Sequence, residues 1–316
     1  MLSKSRLSLI VKMALSVGLI SWLLSGADLP KIWHHIESSN LPLLIFAFVM
    51  FYIGYFISAC RWKMLMKAQG IDASIGFLLQ SFTVGIFFNN FLPSTIGGDA
   101  SRMYDVWRLA GDKTKAVSII LTDRFFGMFS LLSFGFLALQ FTPKVQQAIP
   151  GVQWYLGGVL TAMIVVLWMI FGGGDSVLKW FLSLRLGPFG FMQRLMKKVS
   201  DALSAFRGRT DVLKKAILLS FLLQLNVILH FVLIVAAMNL NVPVVAVFVI
   251  IPIAVVILLL PVSINGVGVR ETVYVFLFGI FAVSTEHAIA YAWVALAMLL
   301  AQGVVGGVVF ALRKQK

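Results

Sequence analysis

Asn89-Asn90-Phe91-Leu92-Pro93-Ser94-Thr95-Ile96-Gly97-Gly98-Asp99-Ala100-Ser101-Arg102 interrupts an otherwise apolar chain directly after the run Ile75–Phe88. It packs helix breakers, amides and charge into fourteen residues. Inside a bilayer, irregular backbone persists only where protein or a water-filled cavity satisfies its N–H and C=O groups. A second stretch, Leu260-Pro261-Val262-Ser263-Ile264-Asn265-Gly266-Val267-Gly268-Val269-Arg270, lies over Leu92–Arg102 without a gap. Leu92/Leu260, Pro93/Pro261, Ile96/Ile264, Gly98/Gly266 and Arg102/Arg270 are identical, and Thr95/Ser263 is a hydroxyl match. Paired Pro/Gly-interrupted segments in two halves of a chain are the sequence pointer to a transporter's binding site.

The rest of the chain sets the solvent. Hydrophobic residues make up 60% of it and charged ones 12%, where soluble domains carry about a quarter. The chain is therefore a polytopic, all-α integral membrane protein. Its net charge of +14 would point to nucleic acid in a soluble protein, but here the basic residues lie between apolar spans. Cys60 is alone, and His34, His35, His230 and His287 have no metal-ligand spacing, so neither a disulfide nor a metal or cofactor site is expected.

Apolar spans occupy Leu7–Leu24, Leu41–Cys60, Ile75–Leu92, Ala116–Phe141, Val152–Phe171, Ala216–Met238, Val244–Leu260, Thr272–Val283 and Ala288–Leu312. Lys12 breaks the first as a signal-peptide core, so it reads as a retained helix. Orientation follows from Lys and Arg. The segment Gly172–Lys215 carries nine and is placed in the cytoplasm, as are Arg61–Lys67, Arg102–Lys115 and both termini. The same bookkeeping leaves Lys31 and Lys144 outside, Arg124 and Arg270 within membrane segments, and the other 22 of 26 basic residues inside. Ile75–Leu92 then has both flanks on one side and is predicted to be re-entrant. Thr272–Val283 is only about 18 Å of helix against a ~30 Å hydrocarbon core. Val244–Val283 is thus either a second re-entrant element, opening outward, or two crossings. The expected architecture is a single membrane domain of about seven or eight embedded segments with two broken elements, its halves at residues 1–150 and 172–316 forming a possible inverted repeat.

Two segments carry an amphipathic pattern. Met192, Leu195, Met196, Val199, Leu203 and Phe206 share one face of Met192–Arg207, with basic residues opposite. That suits a helix on anionic cytoplasmic headgroups, or one packed on the bundle end. In Ala100–Ala110, Met103, Val106, Trp107 and Ala110 oppose Arg102, Asp105 and Arg108 in the same way.

Intramembrane charge is costly and marks function by default. Asp99, Arg102, Asp123, Arg124, Arg270 and Glu271 are that set. Asp99 and Arg102 can share a helix face, whereas Arg270 and Glu271 point apart and each needs its own partner. Arg binds phosphate bidentately, and Gly97, Gly98, Gly266 and Gly268 let backbone approach a headgroup. With Asn89, Asn90, Pro93, Ser94 and Asn265, these residues are the predicted substrate-binding set. The matched places of Arg102 and Arg270 predict that both face one anionic group. The bland reading is that the charges pair only with one another to hold the broken helices together.

These residues resemble a known family. Asn89/Asn90 through Arg102 is similar to the Asn-x-x-Leu-Pro-Ser-x-x-Gly-Gly-Asp-x-x-Arg signature of the lysylphosphatidylglycerol synthase transmembrane-region family, the flippase-like domain. Asp123-Arg124-Phe125-Phe126-Gly127 resembles its (Asp/Glu)-Arg-x-x-Gly element, and Leu260–Glu271 its C-terminal motif. The resemblance implies a protein of a bacterial inner membrane that moves or binds lipids or lipid-linked substrates. No aminoacyl-transfer portion accompanies these motifs, so lysyl transfer is not expected.

The function expected is translocation of a lipid or lipid-linked anion between leaflets, without catalysis and without nucleic acid, its headgroup in a polar cleft. Asp99, Asp123 and Glu271 are candidate proton carriers. The alternatives are a membrane-embedded transferase acting on a polyprenyl-linked donor, which would recruit Asp99 and Asp105, and a non-transporting partner of a separate lipid synthase.

Overall fold

The computed structural model describes residues 4–91, 97–171, 197–198, 201–206, 208–260, 262–263 and 265–313, and they are helical with short connections. The helices are α1 (Lys4–Ser25), α2 (Leu29–Glu37), α3 (Leu41–Ala68), α4 (Ile75–Phe91), α5 (Gly97–Ala110), α6 (Lys113–Leu139), α7 (Pro143–Ala148), α8 (Val152–Phe171), α9 (Thr210–Ala237), α10 (Val244–Leu258), α11 (Val269–Gly279) and α12 (Thr285–Leu312). Local chemistry sets their ends. Asn40, Asp112 and Ser284 cap α3, α6 and α12 by accepting backbone N–H bonds from Leu43, Thr114 and His287. Gly70 and Gly111, at φ +76° and +65°, turn the chain after α3 and α5.

Among the described residues, four helices, α3, α6, α9 and α12, are long and apolar enough to cross a membrane. The order of packed residues gives their directions. Asn40 meets Ala237, Gly54 meets Asn226 and Arg61 meets Ser220, so α3 and α9 run antiparallel. One end of the bundle gathers Lys63, Lys67, Arg108, Lys113, Lys115, Lys214, Lys215 and Arg313. Cross-links there include Lys115 Nζ to the Gln69 carbonyl and Arg313 to Asp105. The opposite end holds Lys31 and Lys144 and is closed by α2 and α7. There His35 stacks on His287 at 4.0 Å and His287 bonds the Met238 carbonyl.

The opening motif makes a hairpin. Ser81 donates to Asp105, Gly85 lies against Arg102, and the Gly98 N–H donates to Asn89 Oδ1 at 2.8 Å, an antiparallel order. Gly98 is required there, because a Cβ would run into the Gly85 carbonyl. Ile75 and Ala110 therefore share the basic end, as expected of a re-entrant element. The second motif does the same with inverted sense. Ile280 and Phe281, just beyond α11, pack with Val249, Leu139 and Val145 at the opposite end, where α10 also begins. At 15 and 11 residues, α10 and α11 span about 22 and 16 Å, so this is a broken hairpin and not two crossings.

Each hairpin sits between two long helices, giving α3–hairpin–α6 and α9–hairpin–α12. The packing repeats between the two units. Hairpin arm α4 rests on α12 and arm α10 on α6, each on the closing helix of the other half, while α3 and α9 form the central pair. Small residues permit the approach. Gly306 and Gly307 accept Phe87, and Gly135 accepts Pro252, the proline inside α10.

Three sequence expectations change. The second apolar span does not end at Cys60 with Arg61 in the cytoplasmic flank: α3 continues to Ala68 and buries Arg61 within the bundle. Ala100–Ala110 does not lay its charges outward as an interfacial helix. It is the return arm of the first hairpin, and Arg102 and Asp105 point inward because partners on α3, α6, α4 and α12 await them. The last short segment begins at Val269 instead of Thr272, which takes Arg270 and Glu271 into the helix. Half of Met192–Arg207 lies outside the described residues. Its described part turns Leu203 and Phe206 into the core beside Trp62 and Leu213, the bundle-end reading.

Candidate functional site

The first hairpin completes a ladder of charge. Asp123, on α6, accepts from Arg61 Nε of α3 at 2.8 Å and from Arg102 Nη2 of α5 at 3.1 Å. Arg61 Nη1 donates to Ser220 Oγ of α9 at 2.6 Å. Asp99 lies 3.7 Å from Arg102 and takes a bidentate pair from Arg124, at 2.8 and 2.6 Å. Three arginines thus face two aspartates, leaving one positive charge. The Arg61, Asp123 and Arg102 side chains are 4%, 4% and 6% exposed, but Arg124 is 46% exposed, so the ladder runs from the packed interior to an open edge. Arg102 is further held between the rings of Trp62 and Phe82, at 4.5 and 4.7 Å, with its Nε unpartnered.

Below it, Asp105 accepts from Ser81 and takes two bonds from Arg313, at 2.9 and 3.1 Å. Arg313 stacks on Phe77, tying the end of α12 to both arms of the hairpin. Asn90, near the tip, donates to the Leu299 carbonyl at 2.7 Å, about half-way along α12.

The second hairpin is charged differently. Its turn uses positive φ at Asn265, Gly266 and Gly268 (+51°, +76° and +83°). At Gly268 a side chain would also strike Leu19 and the Ser16 carbonyl of α1. Glu271, 1% exposed, accepts from the Gly268 N–H at 2.7 Å and so caps the start of α11. Arg270, 9% exposed, donates only to the Asn265 carbonyl at 3.2 Å. Among the described residues it has no carboxylate within ion-pair distance. The charge of the neighbouring Glu271, turned to the Gly268 N–H, acts on it from beyond that distance.

The predicted set is therefore split. Asn89 and Gly98 fasten the first hairpin, Asn90 fastens it to α12, and Asp99, Arg102, Asp123 and Arg124 form the ladder. Gly97 lines a groove on the same hairpin. Asn265, Gly266, Gly268, Arg270 and Glu271 build the second turn. Pro93 and Ser94 lie outside the described residues. Arg102 and Arg270 have different partners, Asp123 and Asp99 for the first and the Asn265 carbonyl for the second. Register along α12 puts Arg102 level with Gly306, through Gly85, and Arg270 about one turn from the Tyr274–Tyr291 contact. They are separated by about ten residues of helix, roughly 15 Å. Sequence reasoning missed Arg61, Ser81, Asp105's partner Arg313, and Ser220. Only Arg61 left a trace, as the charged member of a Tyr55, Ser58, Arg61 stripe on an apolar helix.

The geometry, two inverted hairpins whose tips carry the charged motifs, agrees with a comparison at family level. The profile described as lysylphosphatidylglycerol synthase TM region matches residues 9–306. The chain belongs to that family. It is 21% identical over 207 residues to the UPF0104 membrane protein PH1989 of Pyrococcus horikoshii, covering 65% of this chain and 59% of that one. It is 26% identical over 173 residues to the UPF0104 membrane protein MJ1595 of Methanocaldococcus jannaschii, covering 52% and 50%. The chain thus spans between half and three-fifths of the length of these relatives. No solved structure matches it.

Proposed function

We propose that this family member moves a lipid or lipid-linked anion between leaflets, its headgroup passing between the tips of the two hairpins. The observation that carries the reading is Arg270. A guanidinium inside the bundle with one backbone carbonyl for a partner costs several kcal/mol that an arriving phosphate would recover. The ladder at the first hairpin, one positive charge in excess with Arg124 at its open edge, offers a second station about 15 Å away. Because the hairpins open to opposite ends, a headgroup taken from one side meets Arg124 and Arg102 first and Arg270 next. The transferase alternative has less support. Asp99 and Asp105, the carboxylates it would recruit, are each already held bidentately by an arginine.

The test uses purified chain in vesicles with labelled phosphatidylglycerol. The chain is expected to accelerate leaflet exchange, and Arg270→Gln to abolish the acceleration while folding at least as well as the parent, because it removes an unpaired buried charge. Arg270→Lys should restore part of it, being a point charge where a fork is needed. Exchange by Arg270→Gln at the parental rate would sink the reading, as would a chemically altered lipid formed from an added polyprenyl-linked donor. Glu271→Gln separates two roles. As a cap it keeps an acceptor for Gly268 and leaves pH dependence unchanged, whereas as a proton carrier its loss removes that dependence.

A further inference from the structure

Hairpin arms α4 and α5 and the last turns of α12 enclose a groove of about 1080 Å³ that the ion-pair ladder does not use. The antiparallel pairing of the arms fixes how it runs. Phe77, Arg108 and Arg313 lie at the basic end of the bundle, and Phe88 and Gly97 near the hairpin tip. From Phe77 to Phe88 is eleven residues, about 16 Å along the helix. Its two ends differ in chemistry. Toward the tip the walls are Val84, Phe88, Phe310 and the hydroxyl of Ser101, while at the basic end Asp105, Arg108 and Arg313 stand with Phe77, Leu109 and Leu312.

The charges at that end do not cancel. Asp105 is neutralised by Arg313, but Arg108 is exposed and has no ion-pair partner among the described residues. Among the described residues, one uncompensated cation therefore stands at the mouth of a slot whose inner part is mainly apolar. Beside it, Phe310, Leu312 and Leu109 are exposed on the membrane-facing surface. A soluble anion would use only Arg108, and an apolar helix laid in the slot would bury that cation without a partner. An amphiphile with a charged head and a hydrocarbon tail uses both ends.

We infer that the groove binds one anionic phospholipid from the leaflet at the basic end, its phosphate on Arg108 and an acyl chain along Val84, Phe88 and Phe310. The inference rests on the lipid-handling reading above and names where the lipid is first held. Arg108 presents the bidentate fork that phosphate accepts. The Arg313–Asp105 pair forms the floor beneath the headgroup and fixes the width of the slot.

The test is photo-crosslinking of the full chain in phosphatidylcholine vesicles, using trace phosphatidylglycerol or phosphatidylcholine with a diazirine in the middle of one acyl chain. The phosphatidylglycerol probe is expected to label peptides containing Phe88 and Phe310 saturably and in preference to the phosphatidylcholine probe. Arg108→Gln should lower that preference about fivefold, the effect of one basic residue beside an anionic lipid, and Arg108→Lys should keep most of it. Gln80→Trp, at an exposed position on the wall of the slot, should obstruct it and remove the label while the hairpin stays folded. Equal labelling by both probes, indifferent to Arg108→Gln, means annular lipid only and overturns the inference. So does protection of the groove by cross-links to a second copy of the chain. Labelling is read without transport, so loss of lipid exchange leaves this result standing, and exchange without labelling here removes the groove but not the transporter.

Discussion

Replacing Asp123 by Asn should be the most damaging single change in the ladder. Its carboxylate is buried and serves two guanidinium groups at once, Arg61 at 2.8 Å and Arg102 at 3.1 Å. Asn keeps the volume and one acceptor oxygen but removes the only carboxylate, among the described residues, within ion-pair distance of Arg61. The ladder's net charge rises from +1 to +2, with both uncompensated cations buried. Breaking a buried pair in this way costs about 3–5 kcal/mol. At roughly 2–4 °C of melting temperature per kcal/mol, the shift is about 6–20 °C downward. Asp99→Asn is the internal control. Its main partner, Arg124, is 46% exposed and can turn to water, so solvent screening limits the loss to under about 1 kcal/mol. Adding Arg61→Gln to Asp123→Asn should recover part of the loss, because it removes one of the stranded cations. The assay is thermal unfolding of purified protein in one detergent, with monodispersity followed by size exclusion. Asp123→Asn melting with the parent, or Asp99→Asn melting below Asp123→Asn, would refute the ladder as the element that holds the first hairpin.

Two further outcomes follow from the hairpins. In a Cys60→Ala background, cysteines at Asp72 and Thr114 should label from one side with an impermeant thiol reagent, and a cysteine at Asn239 from the other; labelling of positions 72 and 114 from opposite sides would break the re-entrant arrangement. Gly98→Ala should destabilise by about 1–3 kcal/mol, since its methyl meets the Gly85 carbonyl and the Asn89 amide, whereas Gly76→Ala meets nothing and should melt with the parent; equal melting of both refutes the close packing of α4 on α5.

Much of this was readable from the chain. Apolar runs with little charge admit no soluble fold, and the Lys/Arg flanks of Ile75–Leu92 force both its ends to one side. The short alignment of Leu92–Arg102 with Leu260–Arg270 located both breaks. Such signals are local: a bilayer allows irregular backbone in few places, so Pro, Gly and charge inside apolar sequence report their position directly. The sequence also identified Asp99, Arg102, Asp123 and Arg124 as one class of residue.

Which of them touch was decided by packing. Arg61 reads in sequence as the basic end of a span, and only the crossing of α3 with α6 and α9 brings it to Asp123 and Ser220, 62 and 159 residues away. Arg313 finds Asp105 across 208 residues because α12 lies against the first hairpin. The inverted repeat suggested that Arg102 and Arg270 were equivalent, yet their surroundings differ. The first hairpin meets carboxylates on α6 and on its own arm, while among the described residues Arg270 of the second hydrogen-bonds only the Asn265 carbonyl of its own turn. Charge pairing between distant helices has no local signature, since an arginine is the same residue whether or not an aspartate waits opposite. Sequence therefore placed these charges in the membrane, and tertiary structure alone decided which arginine, among the described residues, has no carboxylate within ion-pair distance.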